Sequence, residues 1–180
     1  MSTRGVLYSV VCGAGPAAHI NRFVTQAWAR GWSVQVLPTS TALEHFIDVP
    51  ALERLLGEPL RAGYRTTGHP RPLADAAVVA PATYNTINKW AGGISDTYVL
   101  SQLAELTGLG IPIVVLPFVN TALAANRVFR HSIGELRAAG VTVLYGPAAV
   151  EPHPPRTAES RIDAYPWHLA LDALDTLKAG

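Results

Sequence analysis

Short apolar, β-branched runs alternate along the chain with segments whose apolar residues recur every three or four positions. The run GVLYSVVCG (5–13) ends at glycine and reads as a strand buried on both faces. From Pro16 to Arg30, Ile20, Phe23, Val24, Ala27 and Trp28 follow helical spacing, and Gly31 closes that helix. WSVQVLP (32–38) is a second strand, and STALEHFI (40–47) and VPALERLLG (49–57) read as short helices. Residues 58–73 are irregular, and ADAAVVAP (74–81) returns to a strand pattern. A helical stretch from Tyr84 to Thr107 is split by Gly92-Gly93. IPIVVLP (111–117) predicts a strand, 120–139 a helix stopping at Gly140, and VTVLYG (141–146) the last strand. A proline-rich loop, PAAVEPHPPRTAESR (147–161), precedes a final amphipathic helix after Asp163 that uses Trp167, Leu171, Leu174 and Leu177.

Strands alternating with helices imply βαβ units and a parallel sheet covered on both faces. The expected fold is therefore α/β: a flavodoxin-like (Rossmann-like) doubly wound sheet in three α/β/α layers, with residues 1–180 forming a single domain. Ligands in such folds bind beyond the carboxyl ends of the strands. That rule selects four places: 12–16, 38–42, 81–86 and 117–121.

Composition agrees with a sheet buried on two sides. Apolar residues make up 49% and charged residues 15% of the chain, against roughly 25% charged in typical domains. Burial between subunits would have the same effect. A net charge of +1 gives no electrostatic case for nucleic acid or a membrane surface. No apolar run approaches the roughly 18 residues of a spanning helix. The N-terminus enters a strand pattern directly, so no leader and a cytoplasmic location are expected. The single Cys12 excludes an internal disulfide framework, and the histidines form no pair with metal-site spacing.

The strand ends share a chemistry. In CGAGPAA (12–18), Gly13 and Gly15 permit a tight turn, Ala14 lies between them, and Pro16 suits a first helical turn whose free amides would face an anion. The loop lacks the third glycine of the dinucleotide G-x-G-x-x-G pattern, and an ordinary βα turn also explains it. In LPTSTA (37–42), capping accounts for one of the hydroxyls of Thr39, Ser40 and Thr41, and a phosphate would use more. In PATYNT (81–86), Thr83, Asn85 and Thr86 supply donors and acceptors just beyond Pro81 and Ala82. Two hydroxyl-rich helix starts suggest a phosphate ester, and the third a planar polar ring.

PATYNTINKWAGGISD (81–96) resembles the P-A-S-A-N-T signature of the homo-oligomeric flavin-containing cysteine decarboxylases. That family includes phosphopantothenoylcysteine decarboxylases and the peptidyl-cysteine decarboxylases of lanthipeptide and thioamide-peptide pathways. The likeness runs over roughly residues 5–146. It implies a flavodoxin-like subunit, bound FMN, and a homo-oligomer built from trimers that often assemble into dodecamers. By resemblance, Gly13, Ala14, Gly15 and Pro16 form the first phosphate loop, with Ala14 replacing a serine. Thr39 and Ser40 form the second loop, with Phe46 beyond Ala42. Pro81, Ala82, Thr83, Asn85 and Thr86 lie along the flavin, and Tyr84 replaces a small alanine, a bulk expected to reshape the pocket or reach a neighbouring subunit. LPFVN (116–120) resembles the family's Pro-x-Met-Asn-x-x-Met-Trp substrate motif. Pro117 and Asn120 match, while Val119, Leu123 and Ala124 replace Met, Met and Trp. The catalytic residues implied are His69, as base or thiol-orienting group, and Asn120, holding the substrate carboxylate or a nearby amide. His19, His45, His131 and His168 fall in helical patterns, and His153 in the proline-rich loop.

A cysteine carboxylate does not lose CO₂ readily, because the carbanion left behind has no electron sink. Oxidising the thiol carbon to a thioaldehyde places C=S β to the carboxylate, and loss of CO₂ then leaves an enethiolate; the flavin takes the hydride. The pantothenate branch re-reduces that product with a C-terminal cysteine, and this chain has none after Cys12. The resemblance therefore favours a peptide decarboxylase that releases an enethiol, with 147–161 as a substrate lid and Arg156 and Arg161 as partners for a carboxylate. The alternatives are an FMN-binding regulatory or scaffold flavoprotein without decarboxylase activity, and phosphopantothenoylcysteine decarboxylase. A flavin prenyltransferase is disfavoured, because that group carries a lysine-bearing signature where Asn85-Thr86 stands.

Overall fold

The computed structural model describes residues 4–60, 63, 71–147 and 149–179. Among them five strands form one parallel sheet in the order β2-β1-β3-β4-β5. They are β1 (Gly5–Val11), β2 (Trp32–Pro38), β3 (Ala76–Ala82), β4 (Ile113–Pro117) and β5 (Thr142–Val143). The helices are α1 (Ile20–Ala29), α2 (Ser40–His45), α3 (Val49–Leu56), α4 (Tyr84–Ala91), α5 (Tyr98–Gly108), α6 (Thr121–Ala125), α7 (Arg127–Ala138), α8 (Glu159–Ile162) and α9 (Trp167–Ala179). The order reverses between β1 and β3, which places the switch point where those two strands end.

Alternation along each strand sorts side chains between two cores. Leu7, Val11, Val34, Val36, Val78, Val114 and Leu116 join Phe23 and Val24 of α1, Leu52 of α3, and Leu171 and Leu174 of α9. Tyr8, Val10, Leu37, Val79, Ile113 and Val115 join Ile87 of α4, Leu103 of α5, and Phe129 and Ile133 of α7. Covering on both faces explains why every residue of β3 and β4 is buried and why their sequences are continuous apolar runs.

α9 is tied down as well as packed. Trp167 lies 5.7 Å from Phe23 and 4.8 Å from Tyr165, ring centre to ring centre. Arg30 reaches Asp172 at 2.6 Å and Asp175 at 2.8 Å, and Arg4 also pairs with Asp175. No helix among the described residues is long and apolar enough to cross a membrane.

Three elements depart from the expected pattern. The first helix opens as a 3₁₀ turn over Gly15–His19 before α1 begins. The helix expected over 120–139 breaks at Asn126, whose backbone is extended and whose Oδ1 accepts the Val128 amide; a short polar side chain offers the backbone an alternative to the helical bond. β5 is confined to two residues, paired with Val114 and Val115 at the sheet edge. Trp28 and Leu177, expected on buried faces, are exposed.

Leu171→Ala should cost about 2–5 kcal/mol, since Leu171 is fully buried beneath α9. Leu177→Ala, on the same helix, should stay within about 0.5 kcal/mol. Denaturant unfolding of both variants checks whether α9 belongs to the first core.

Candidate functional site

At the end of β3 the chain turns into α4 through Thr83, the helix N-cap. Thr83 Oγ1 accepts the Thr86 amide at 3.4 Å and donates to Thr86 Oγ1 at 3.2 Å. Cys12 Sγ, just past β1, donates to the same Thr86 oxygen at 3.3 Å. Thr86 Oγ1 thus accepts twice, and its own proton has no acceptor among the described residues. Burial pushes the Cys12 thiol up, against the opposing pull of its hydrogen bonds with Thr86 and Thr83, so it stays protonated at neutral pH. Cys12 joins strand ends and is not a nucleophile.

At the end of β2, Thr39 is the cap of α2, its Oγ1 accepting the Ala42 amide at 3.3 Å, while its own amide donates to Val11 O on β1. Capping uses one hydroxyl, as expected. Ser40 and Thr41 are exposed, and their hydroxyls bond to none of the described residues. Gly13 has to be glycine because a Cβ there would stand 2.5 Å from Thr41 Cγ2. The first and second loops therefore touch. The amides of Gly13 and Gly15 bond to none of the described residues.

Thr39, Ser40, Asn85 and Thr86 meet in one cavity of about 430 Å³, within the range of about 300–1,000 Å³ for small-molecule sites. Tyr98, Val99 and Leu100 supply an apolar wall. Lys89 and Asp96, paired at 2.5 Å, stand on the polar side. Asn85 is exposed, and its amide bonds to none of the described residues. Asn120 caps α6, its Oδ1 accepting the Leu123 amide at 2.9 Å, which leaves Nδ2 for another partner.

Other candidates lie apart from this cavity. Gly13, Ala14, Gly15 and Pro16 are not in its lining; Pro16 is buried, and a Cβ on Gly15 would meet Ile162 Cδ1 at 2.6 Å. Phe46 packs against the first core. Pro81 and Ala82 are buried in β3. Tyr84 stacks on Phe129, centroids 5.8 Å apart, so its bulk is directed onto α7. His69 lies outside the described residues.

A second cavity of about 330 Å³ opens at the ends of β4 and β5, beneath the proline-rich segment. His153, a loop histidine by sequence, is buried there at 9% exposure. Its neighbours Pro152 and Pro154 were the available signal: each holds the chain extended, and an extended segment beside a sheet can pair with it. Among the described residues no group of three or more His, Cys, Asp or Glu is placed to hold a metal.

The Flavoprotein family profile matches residues 5–161, and the chain belongs to that family. Membership makes the protein a flavoprotein, with FMN as its cofactor. No curated protein matches the chain. Among solved structures it is similar to TvaF, an FMN-dependent cysteine decarboxylase from thioviridamide biosynthesis, with TM-score 0.69 and 23% identity over 94% of this chain and 97% of that one. It is also similar to the FMN-binding protein AtHal3, with TM-score 0.67 and 20% identity over 89% and 94%. The epidermin biosynthesis protein EpiD from Staphylococcus aureus gives TM-score 0.64 and 23% identity over 81% and 84%. At these identities the likeness establishes the shared fold.

Thr86→Val should destabilise the protein by about 1–3 kcal/mol, because it strips the acceptor from Cys12 Sγ and Thr83 Oγ1. In a double-mutant cycle with Cys12→Ala, measured by urea unfolding, the two changes should fall short of additivity by about 0.5 kcal/mol or more. Strict additivity would mean that the two side chains do not interact.

Proposed function

We propose that the protein is an FMN-dependent oxidative decarboxylase that acts on the carboxylate of a C-terminal peptide cysteine and releases an enethiol. The observation that carries this reading is the meeting of Asn85 and Thr86 of the signature stretch with the free Ser40 hydroxyl in one cavity beside the switch point. The residues present suit FMN. The Ser40 and Thr41 hydroxyls offer donors to a phosphate, with the unpaired amide of Gly13 in the loop that touches Thr41; the spare Thr86 proton and the Asn85 amide suit the polar edge of a ring, and Tyr98, Val99 and Leu100 suit its apolar face. When bound, FMN supplies the electron acceptor that makes oxidation of the thiol carbon possible.

The protein's own groups then bind and orient. Asn120 Nδ2, left open by the cap, suits the substrate carboxylate. Arg161, exposed and in no ion pair among the described residues, adds a positive charge to the second cavity. His69 is the residue the resemblance assigns as base or thiol-orienting group. Of the departures from the family's substrate motif, Ala124 is buried in the second core, Val119 is buried there and also borders the second cavity, and Leu123 reaches the surface. Leu123, Val128 and Ile94 are exposed apolar side chains suited to subunit contacts in a trimer or a dodecamer built from trimers. A cytoplasmic location fits this reading.

A flavin-binding regulatory or scaffold role is the second reading; the similar AtHal3 is an FMN-binding protein. Incubating the purified protein with peptides ending in Cys should produce a mass loss of about 46 Da, that of CO₂ and two hydrogens. Yellow protein that leaves every such peptide and phosphopantothenoylcysteine intact supports the second reading; mass loss from phosphopantothenoylcysteine alone makes it the substrate. Colourless protein whose melting temperature ignores added FMN defeats all three. His69→Asn should lower kcat by about 10²-fold or more if His69 is the base; full activity removes that role and leaves the flavin site untouched.

A further inference from the structure

The second cavity holds a group that the site built on the signature stretch does not use. Of the described histidines, His153 alone is buried. Its backbone is pinned to the end of β4 as a parallel bridge opposite Asn120, with His153 N donating to Val119 O at 3.2 Å and Thr121 N donating to His153 O at 2.8 Å. Its ring packs 4.9 Å from the ring of Phe118, centre to centre. Phe118 N in turn donates to Ala82 O of the signature strand at 2.8 Å. One residue therefore separates the imidazole from the signature strand end, and the residue across the bridge is Asn120.

The protonation pattern of the ring is set by its surroundings. Nδ1 lies 2.9 Å from Pro154 O. A carbonyl oxygen only accepts, so Nδ1 carries the proton and the neutral ring presents a lone pair at Nε2. Nε2 has no hydrogen-bond partner among the described residues. The atom is not closed off in the core, and the residue lines the cavity. The other ionisable side chains on the walls are Tyr145, Glu151, Arg161 and Tyr165. Tyr165 is occupied, its OH donating to Leu116 O at 2.5 Å. Arg161 brings a positive charge that suits a carboxylate beside the imidazole.

We propose that His153 is a catalytic residue whose Nε2 accepts the proton of the substrate thiol. The claim rests on the cysteine decarboxylase reading and leaves His69 the orienting role that the resemblance also allows. The S–H bond breaks, the proton passes to Nε2, and the electron pair stays on sulfur, giving a thiolate beside an imidazolium. An imidazole nitrogen with an open lone pair takes such a proton along one direct hydrogen bond. A peptide ending in cysteine would place its carboxylate toward Asn120 Nδ2 or Arg161 and its sulfur toward Nε2.

The test uses the FMN-loaded protein labelled with ¹⁵N and read by two-bond proton–nitrogen correlation of the imidazoles. The His153 signals, identified by their absence in His153→Gln, should show a protonated Nδ1 and a bare Nε2. The Nε2 resonance should move on adding a peptide ending in Cys and move far less with the same peptide ending in Ala. In turnover, His153→Gln should lower kcat by about 10²-fold or more with KM within about threefold, at unchanged FMN content. The proposal is overturned by a proton on Nε2 in the free protein, by an Nε2 signal indifferent to the Cys peptide, or by a variant whose kcat stays within about threefold of wild type. A wild-type protein that gives the Nε2 response but no mass loss would defeat the decarboxylase reading while upholding the thiol contact. An active protein with an unresponsive His153 defeats the contact alone. If His153→Gln fails to fold, the spectra of the wild-type protein decide.

Discussion

The site depends on a three-member hydrogen-bond cluster at the ends of β1 and β3. Thr86 Oγ1 receives both the Cys12 thiol and the Thr83 hydroxyl. These neighbouring strands send their chains to opposite faces of the sheet, so their ends would otherwise diverge and leave buried polar atoms unmatched. The cluster holds them together, satisfies the cap of α4 and still leaves one hydroxyl proton uncommitted. A second tie, from Thr39 N to Val11 O, brings the end of β2 to the same place. The contact of Gly13 with Thr41 is the consequence, because a side chain on Gly13 would push the two loops apart.

Much of this was legible in the sequence because it follows from period and capping. Short apolar, β-branched segments located β1 to β4, and hydroxyl-rich strand ends promised one cap each, which Thr39 and Thr83 supply. What stayed hidden depended on contacts distant in sequence. Nothing local to Cys12 shows that its thiol meets a residue 74 positions away. Tyr84 read as reshaping the pocket or reaching a neighbouring subunit, because stacking on Phe129 requires knowing where α7 lies. The break at Asn126 was within reach of local reasoning, since asparagine competes for backbone donors, but the apolar spacing across it outweighed that signal.

The chain after β5 was read least completely. The proline-rich loop expected as a substrate lid is tied to the sheet at one point. Pro152 and Pro154 flank His153, which bridges to Asn120 while its carbonyl accepts from Thr121. The same stretch then reaches back across the sheet, where Ile162 covers Gly15 and Asp163 meets Arg22 at 3.1 Å and His19 at 3.3 Å. One segment therefore touches both the first glycine loop and the second cavity.

The segment is held at its far end by Tyr165 and Trp167, whose rings are packed into the first core and whose position follows from α9. It is held at its near end by the bridge to Asn120. Between those anchors, Ile162 and Asp163 rest on the first loop and its helix. No single motif encodes this placement, which is why it is the part furthest from the sequence. It arises from two anchored ends and an isoleucine packed against a glycine between them.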